Sequence, residues 1–280
     1  MANDKAFKPT PQDAVQGAAP VETSAAVNPF ETPSREGFAV FIKKTALAYH
    51  DGDNPYSMMD IVRPYGETIG DFMASPLYSG RFDGPNLWDG FADVYESIES
   101  EEGKLLFQQA TGDVLVDIIS DSKGLNNQSL EAAIDLMYFV SKINATELAE
   151  LLVDITSERF LAGKIEEQKD EIVGTSISAL ISLPDDPKVN AALSKFIDSP
   201  DFPNFIFSLS GELLRRDPSR VAEIVEKYSE RFKQVRDLGR QEGGDDWKDT
   251  KFVMKEWLRA IVEANPDPKI LEKAQAIVNE

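Results

Sequence analysis

Three times in its last third the chain places Asp before Pro and, within three further positions, a base and then Val or Ile. The segments are "LPDDPKVNAALSKFI", "LLRRDPSRVAEIVEKY" and "ANPDPKILEKAQAIV". Asp186, Asp217 and Asp267 can accept hydrogen bonds from the unpaired N–H groups of a helix start, and their charge complements its dipole. Pro187, Pro218 and Pro268 then take the first helical position, where a missing N–H costs nothing. Each signature therefore predicts a helix beginning. The prolines are 31 and then 50 residues apart. The first interval suits one helical hairpin, with "DFPNFIFSLSGELLRR" as the intervening helix. The second is too long for a regular repeat and holds two helices, at about 218–238 and 246–264.

Upstream the same reading continues. From Lys104 onward, "KLLFQQATGDVLVDIIS" and "QSLEAAIDLMYFVSKI" carry apolar residues every three or four positions. "TELAELLVDITSERFLAG" reads as one helix that Asn144 would cap, with Glu147 in support, and Gly163 would end. "KIEEQKDEIVGTSISALISL" follows, with no strand-length alternation to replace a helix. The expected fold is all-α: an irregular stack of antiparallel helical hairpins, solenoid-like or bundled, of about a dozen helices.

Residues 34–103 have a different texture. A first helix is predicted from Ser34 to Tyr49, burying Phe38, Phe41, Ile42, Thr45 and Tyr49. Eight aromatics then lie among turn signals, with short helices expected at about 57–63, 66–74 and 86–100 and with Ser57 and Asn86 as caps. From 36 to 103 there are 13 acids against 4 bases, a local balance of −9. Residues 1–33 lack any period and read as a flexible arm. The chain thus divides into an arm (1–33), a loop-rich, acidic, aromatic helical segment (34–103) and a helical-hairpin array (104–280). Within the arm "NPF" (Asn28, Pro29, Phe30) is the tripeptide that endocytic EH domains recognise. The plainer reading is a turn whose Phe30 docks on the first helix.

Charge and cysteine content exclude several chemistries. With 29 bases against 49 acids the net charge is −20, which disfavours direct binding to DNA or an anionic membrane. It is compatible with a basic protein partner. The absence of cysteine removes disulfide scaffolds, thiolate metal sites and a cysteine nucleophile. No apolar run approaches the roughly 20 residues of a membrane span. A cytoplasmic protein is the default expectation, although a virion or leaderless secretion would leave the same pattern. No phosphate-binding loop, dinucleotide fingerprint, nucleophile elbow or HExxH motif occurs, and no cofactor is implied.

The single histidine, His50, stands in "HDGDNPY". Asp51 and Asp53 fit the first and third ligand positions of a calcium loop, but Pro55, Tyr56 and Val62 occupy positions that need an oxygen ligand, glycine and glutamate. A looser cation site at Asp51 and Asp53 is the one metal candidate. The plainer reading is a helix stop followed by a tight turn. One stretch is basic: residues 215–240 hold eight Arg or Lys against five acids. On a helix Arg216, Arg220, Lys227 and Arg231 line one flank of a buried stripe made by Val221, Ile224, Val225, Tyr228, Phe232 and Val235. That flank is a candidate surface for an anionic partner. Otherwise it is a solvated face with pairs such as Glu223–Lys227, or a dock for the acidic segment of the same chain or another copy. In "NLWDGFADVYESIES", Leu87, Phe91, Val94, Tyr95 and Ile98 form a core face. Trp88 lies off that stripe and Tyr78 in a loop, and both are candidate partner anchors.

The leading expectation is a non-enzymatic interaction or scaffold protein. It would hold a protein partner, perform no catalysis and belong to a larger assembly such as a phage particle or a secretion-linked complex. Two rivals follow from the same residues. One is a carboxylate enzyme using a divalent cation near Asp51 and Asp53. The other is an acidic nucleic-acid mimic that occupies a basic protein.

Overall fold

The three aspartates start helices as the sequence requires. Asp186 accepts from the Lys188 N–H at 2.8 Å, Asp217 from Ser219 at 3.2 Å and Asp267 from Lys269 at 2.9 Å. The protein is seen here as a computed structural model that describes residues 28–51, 54, 56–78, 86–121, 125–199 and 205–279. Among them are fourteen α-helices and no strand. In chain order these are α1 (Arg35–Tyr49), α2 (Ser57–Val62), α3 (Glu67–Tyr78), α4 (Leu87–Glu96), α5 (Glu101–Ile119), α6 (Asn127–Lys142) and α7 (Ala149–Asp154). There follow α8 (Glu158–Leu161), α9 (Glu166–Ser182), α10 (Pro187–Asp198), α11 (Ile206–Arg216), α12 (Val221–Glu242), α13 (Gly244–Glu263) and α14 (Pro268–Asn279).

Ion pairs between helices reveal how these stack. Lys188 pairs with Glu147 and Lys195 with Asp154, each 41 residues away, so α7 and α10 run side by side in one direction. Arg216, at the end of α11, reaches the carbonyls of Ile181 and Leu183 at the end of α9, so these two also run together. Leaving out the short α8, successive helices from α6 onward reverse direction while alternate ones align. That makes two layers, with α7, α10, α12 and α14 in one and α6, α9, α11 and α13 in the other. The fold is all-α, an irregular stack of antiparallel hairpins. One connected apolar core runs from Phe38 to Ile277.

The N-terminal segment covers the first hairpin, α5 and α6. Helix α1 lies along α5, with Arg35 bound to Asp113 and Lys43 to Asp117. The predicted face of Phe38, Phe41, Ile42, Thr45 and Tyr49 is buried, as is that of α4. Most of the predicted arm, 1–27, lies outside the described residues. Residues 28–33 form a turn in which the Asn28 side chain accepts from the Phe30 N–H at 3.1 Å. Phe30 packs edge-on against Phe38, Phe41 and Tyr65, so the NPF tripeptide docks on α1.

Several predicted boundaries move. Helix α3 continues past residue 74, through Pro76 to Tyr78. Pro76 cannot bond the Phe72 carbonyl, and Gly90 of α4 packs against that carbonyl: a Cβ there would sit 3.0 Å from it. Helix α2 begins at Ser57, with Tyr56 in the cap position. Helix α4 ends at Glu96, because Ser100 starts α5 by accepting from the Gly103 N–H. Asn144 caps the end of α6 and not the start of the next helix. It adopts φ 54°, and the Ala145 N–H returns to the Val140 carbonyl at 3.0 Å. The single helix expected after it is broken into a 3-10 turn (Thr146–Leu148), α7 and α8, the Thr156 hydroxyl bonding the Val153 carbonyl at the break. Among the described residues no helix is long and apolar enough to cross a membrane.

Candidate functional site

His50 does end α1, but its ring is committed elsewhere. Its Nε2 lies 2.7 Å from Oδ2 of Asp135, 85 residues away on the inward face of α6. Both side chains are largely buried, with exposures of 13% and 9%. An ionised Asp135 requires the proton on Nε2, so the imidazole orients the carboxylate. Burial pushes the Asp135 carboxyl above its ordinary range; the bond from His50 pulls it back in part, and the charge of Glu131 adds to the rise.

This pair forms the floor of a cleft of about 340 Å³. Tyr49 and Trp88 contribute aromatic walls, with Trp88 braced on Tyr138 at a ring separation of 5.0 Å. Asn86, the cap of α4, and Asn127 and Gln128, at the start of α6, supply amides. Gln128 donates its NH₂ to the Leu47 carbonyl at 2.6 Å, which holds the last turn of α1 against α6 and leaves the amide oxygen as acceptor. Glu131, one turn before Asp135, is exposed at the rim. Next to it stands α9. Partial desolvation raises the Glu171 carboxyl, and the charges of Glu131 and Glu167 raise it further.

The candidates from the sequence fall out unevenly. Trp88 lines the cleft. Tyr78 is the last residue of α3, and its side chain lies outside the described residues, as does Asp53. The Asp51 N–H bonds the Ala48 carbonyl and closes α1. Among the described residues no group of three or more His, Asp or Glu side chains is arranged to hold a metal ion. Asp135 was missed. The available signal was a lone acid among Ile134, Leu136, Met137, Phe139 and Val140, all buried.

The basic flank is paired with groups of the same chain, although Lys227 stays half exposed. Arg216 pairs with Glu212 at 2.8 Å and donates to the carbonyls of Ile181, Leu183 and Pro184, the end of α9, with 7% of its side chain exposed. Arg231 donates to the carbonyls of Ile197 and Ser199, at the end of α10. Arg220 bonds Glu223 and the Ser194 hydroxyl, and Lys227 bonds Asp198 at 2.6 Å. The Glu223–Lys227 pair expected within α12 is therefore replaced by Arg220–Glu223 and by a bridge to α10. Arg236 is buried as well and donates to the Ile277 carbonyl near the end of α14. Arg216, Arg231 and Arg236 each satisfy carbonyls that a helix end leaves unpaired, where a cation also complements the dipole.

No protein family, curated protein or solved structure matches the chain, so function has to be read from these side chains.

Proposed function

We propose that the protein is a non-enzymatic interaction or scaffold protein that holds a basic protein partner, as one part of a larger assembly. The observation that carries this reading is that the one basic stretch is paired within the chain. Arg216, Arg220, Lys227, Arg231 and Arg236 are spent on acids and helix-end carbonyls of the fold itself. Carboxylates are left outside. Asp93, Glu96, Glu99, Glu101 and Glu102 are all exposed within ten residues, and Glu131, Glu167 and Glu171 are exposed on α6 and α9. In a chain of net charge −20, these exposed carboxylates attract basic proteins and repel nucleic acid and anionic lipid.

Affinity capture on the immobilised full chain tests this. Retained proteins should be enriched in basic species relative to the extract, and raising the salt from about 0.05 M to about 0.5 M should release them. Retention that ignores salt, or a retained set no more basic than the extract, overturns the reading.

A further inference from the structure

The cleft beside His50 gathers negative charge that no lysine or arginine among the described lining residues neutralises. Asp135 lies at the floor, with Oδ2 held by His50 and Oδ1 the oxygen left to accept. Glu131 stands one turn away on the same face of α6, close enough to raise the Asp135 carboxyl, and it does the same to Glu171 on α9. Neither lysine nor arginine lines the cleft among the described residues. Its remaining polar groups include the amide oxygen of Gln128, and Trp88 and Tyr49 present ring surface.

These features select a class of ligand. A metal ion is disfavoured, because the acids do not converge as a coordination set. At about 340 Å³ the space is also far larger than a bare ion occupies and falls at the small end of organic-ligand sites. An anion would meet two carboxylates. A neutral apolar molecule would bury Asp135 further without offering it a donor. A planar organic cation answers each group: its face stacks on Trp88, and its paired N–H groups meet carboxylate oxygens side by side. We propose that the cleft between His50, Trp88, Glu131 and Asp135 binds a guanidinium group. Asp135 and Glu131 accept its hydrogen bonds, Trp88 stacks on it, and His50 positions Asp135. The cation can come on a small free molecule or as an arginine side chain of another protein. The proposal stands independently of the partner reading above: capture tests the outer surface, whereas titration tests the cleft.

Calorimetric titration of the full chain separates these cases. The probes are n-butylguanidinium, its uncharged isostere n-butylurea, n-butylammonium and the capped tripeptide acetyl-Gly-Arg-Gly-amide. Butylguanidinium should bind saturably and at least about tenfold more tightly than butylurea. Glu131→Gln, at an exposed position that does not threaten folding, should weaken it about tenfold, and Trp88→Leu about fivefold. Glu150→Gln, exposed on α7 away from the cleft, should leave it unchanged. Tighter binding of the tripeptide than of butylguanidinium supports a protein-borne arginine, and the reverse order supports a free small molecule. No saturable heat with either guanidinium probe at about 10 mM overturns the proposal. So does equal binding of butylurea or butylammonium, or an affinity indifferent to Glu131→Gln.

Discussion

Asp198 shows how one carboxylate can hold two helices. It ends α10 and receives both Lys227 and the Tyr228 hydroxyl from α12. Burial alone would raise its carboxyl, but the bonds from Lys227 and Tyr228 outweigh that and set it below the ordinary range. The native state therefore binds this proton less tightly than the unfolded chain does. Its contribution is present above the unfolded value near 3.9 and is lost as pH falls through the lower native value. Asp198→Asn should cost about 1 kcal/mol at pH 6, a modest figure because the pair is half exposed and screened. Urea unfolding of both proteins at about pH 6 and about pH 3 checks this, since the gap should shrink in acid. A gap of the same size at both values would refute it. Asp135 has the opposite sign: its raised carboxyl favours the native state in acid, and that advantage fades as pH rises through the native value.

At the scale of elements, the close approach of α12 and α13 depends on one missing side chain. A Cβ on Gly239 would lie 2.4 Å from Oγ1 and 2.9 Å from Cβ of Thr250. Gly239→Ala gains helix propensity yet must push the helices apart, so it should destabilise the protein by about 1–3 kcal/mol. Thr250→Ala in the same chain should recover only part of the loss, because the Thr250 Cβ remains in the way. Thermal or denaturant melts of the two single variants and the double variant measure the coupling, and strictly additive effects would refute the contact argument. Gly243 and Gly244, both at positive φ, then reverse the chain between these helices at no steric cost. The arginines at helix ends belong to this scale too. They bond carbonyls in helices whose sequences carry no mark of being their neighbours, which is why a periodic basic stripe resembled a binding face.

Across the whole molecule, contacts in a two-layer stack run mostly between neighbouring hairpins, so stability should be distributed locally. Aromatic packing divides accordingly. Phe38, Phe41, Phe91, Phe107 and Phe139 join α1, α4, α5 and α6. Phe207, Phe232 and Trp257 join α11, α12 and α13, with Phe232 and Trp257 centred 4.3 Å apart. Phe232 is fully buried, and Phe232→Ala should cost about 3–5 kcal/mol. Native-state hydrogen exchange should then accelerate through α11 to α14 and leave α1 to α6 close to wild type. Acceleration spread evenly over the chain would show a single cooperative unit instead.

What the sequence determined by itself was whatever local physics dictates. Helix starts at Asp186, Asp217 and Asp267, the cap at Asn86 and the buried faces of α1, α4 and α12 follow from hydrogen-bond needs and periodicity within a turn or two. So does the all-α class. Local signals also competed: Asn144 suits either end of a helix, and Pro76 reads as a stop until Gly90 packs against the carbonyl it leaves unpaired. Only the tertiary structure decided what long side chains meet. His50 looked like a lone residue in an acidic turn, and its partner Asp135 lies 85 positions further on. Arg216 and Arg231 looked available and are bound to carbonyls on neighbouring helices. Spacing along one helix fixes which way a side chain points, but its partner depends on how the hairpins stack. That same stacking brings His50, Trp88, Glu131 and Asp135 to one cleft.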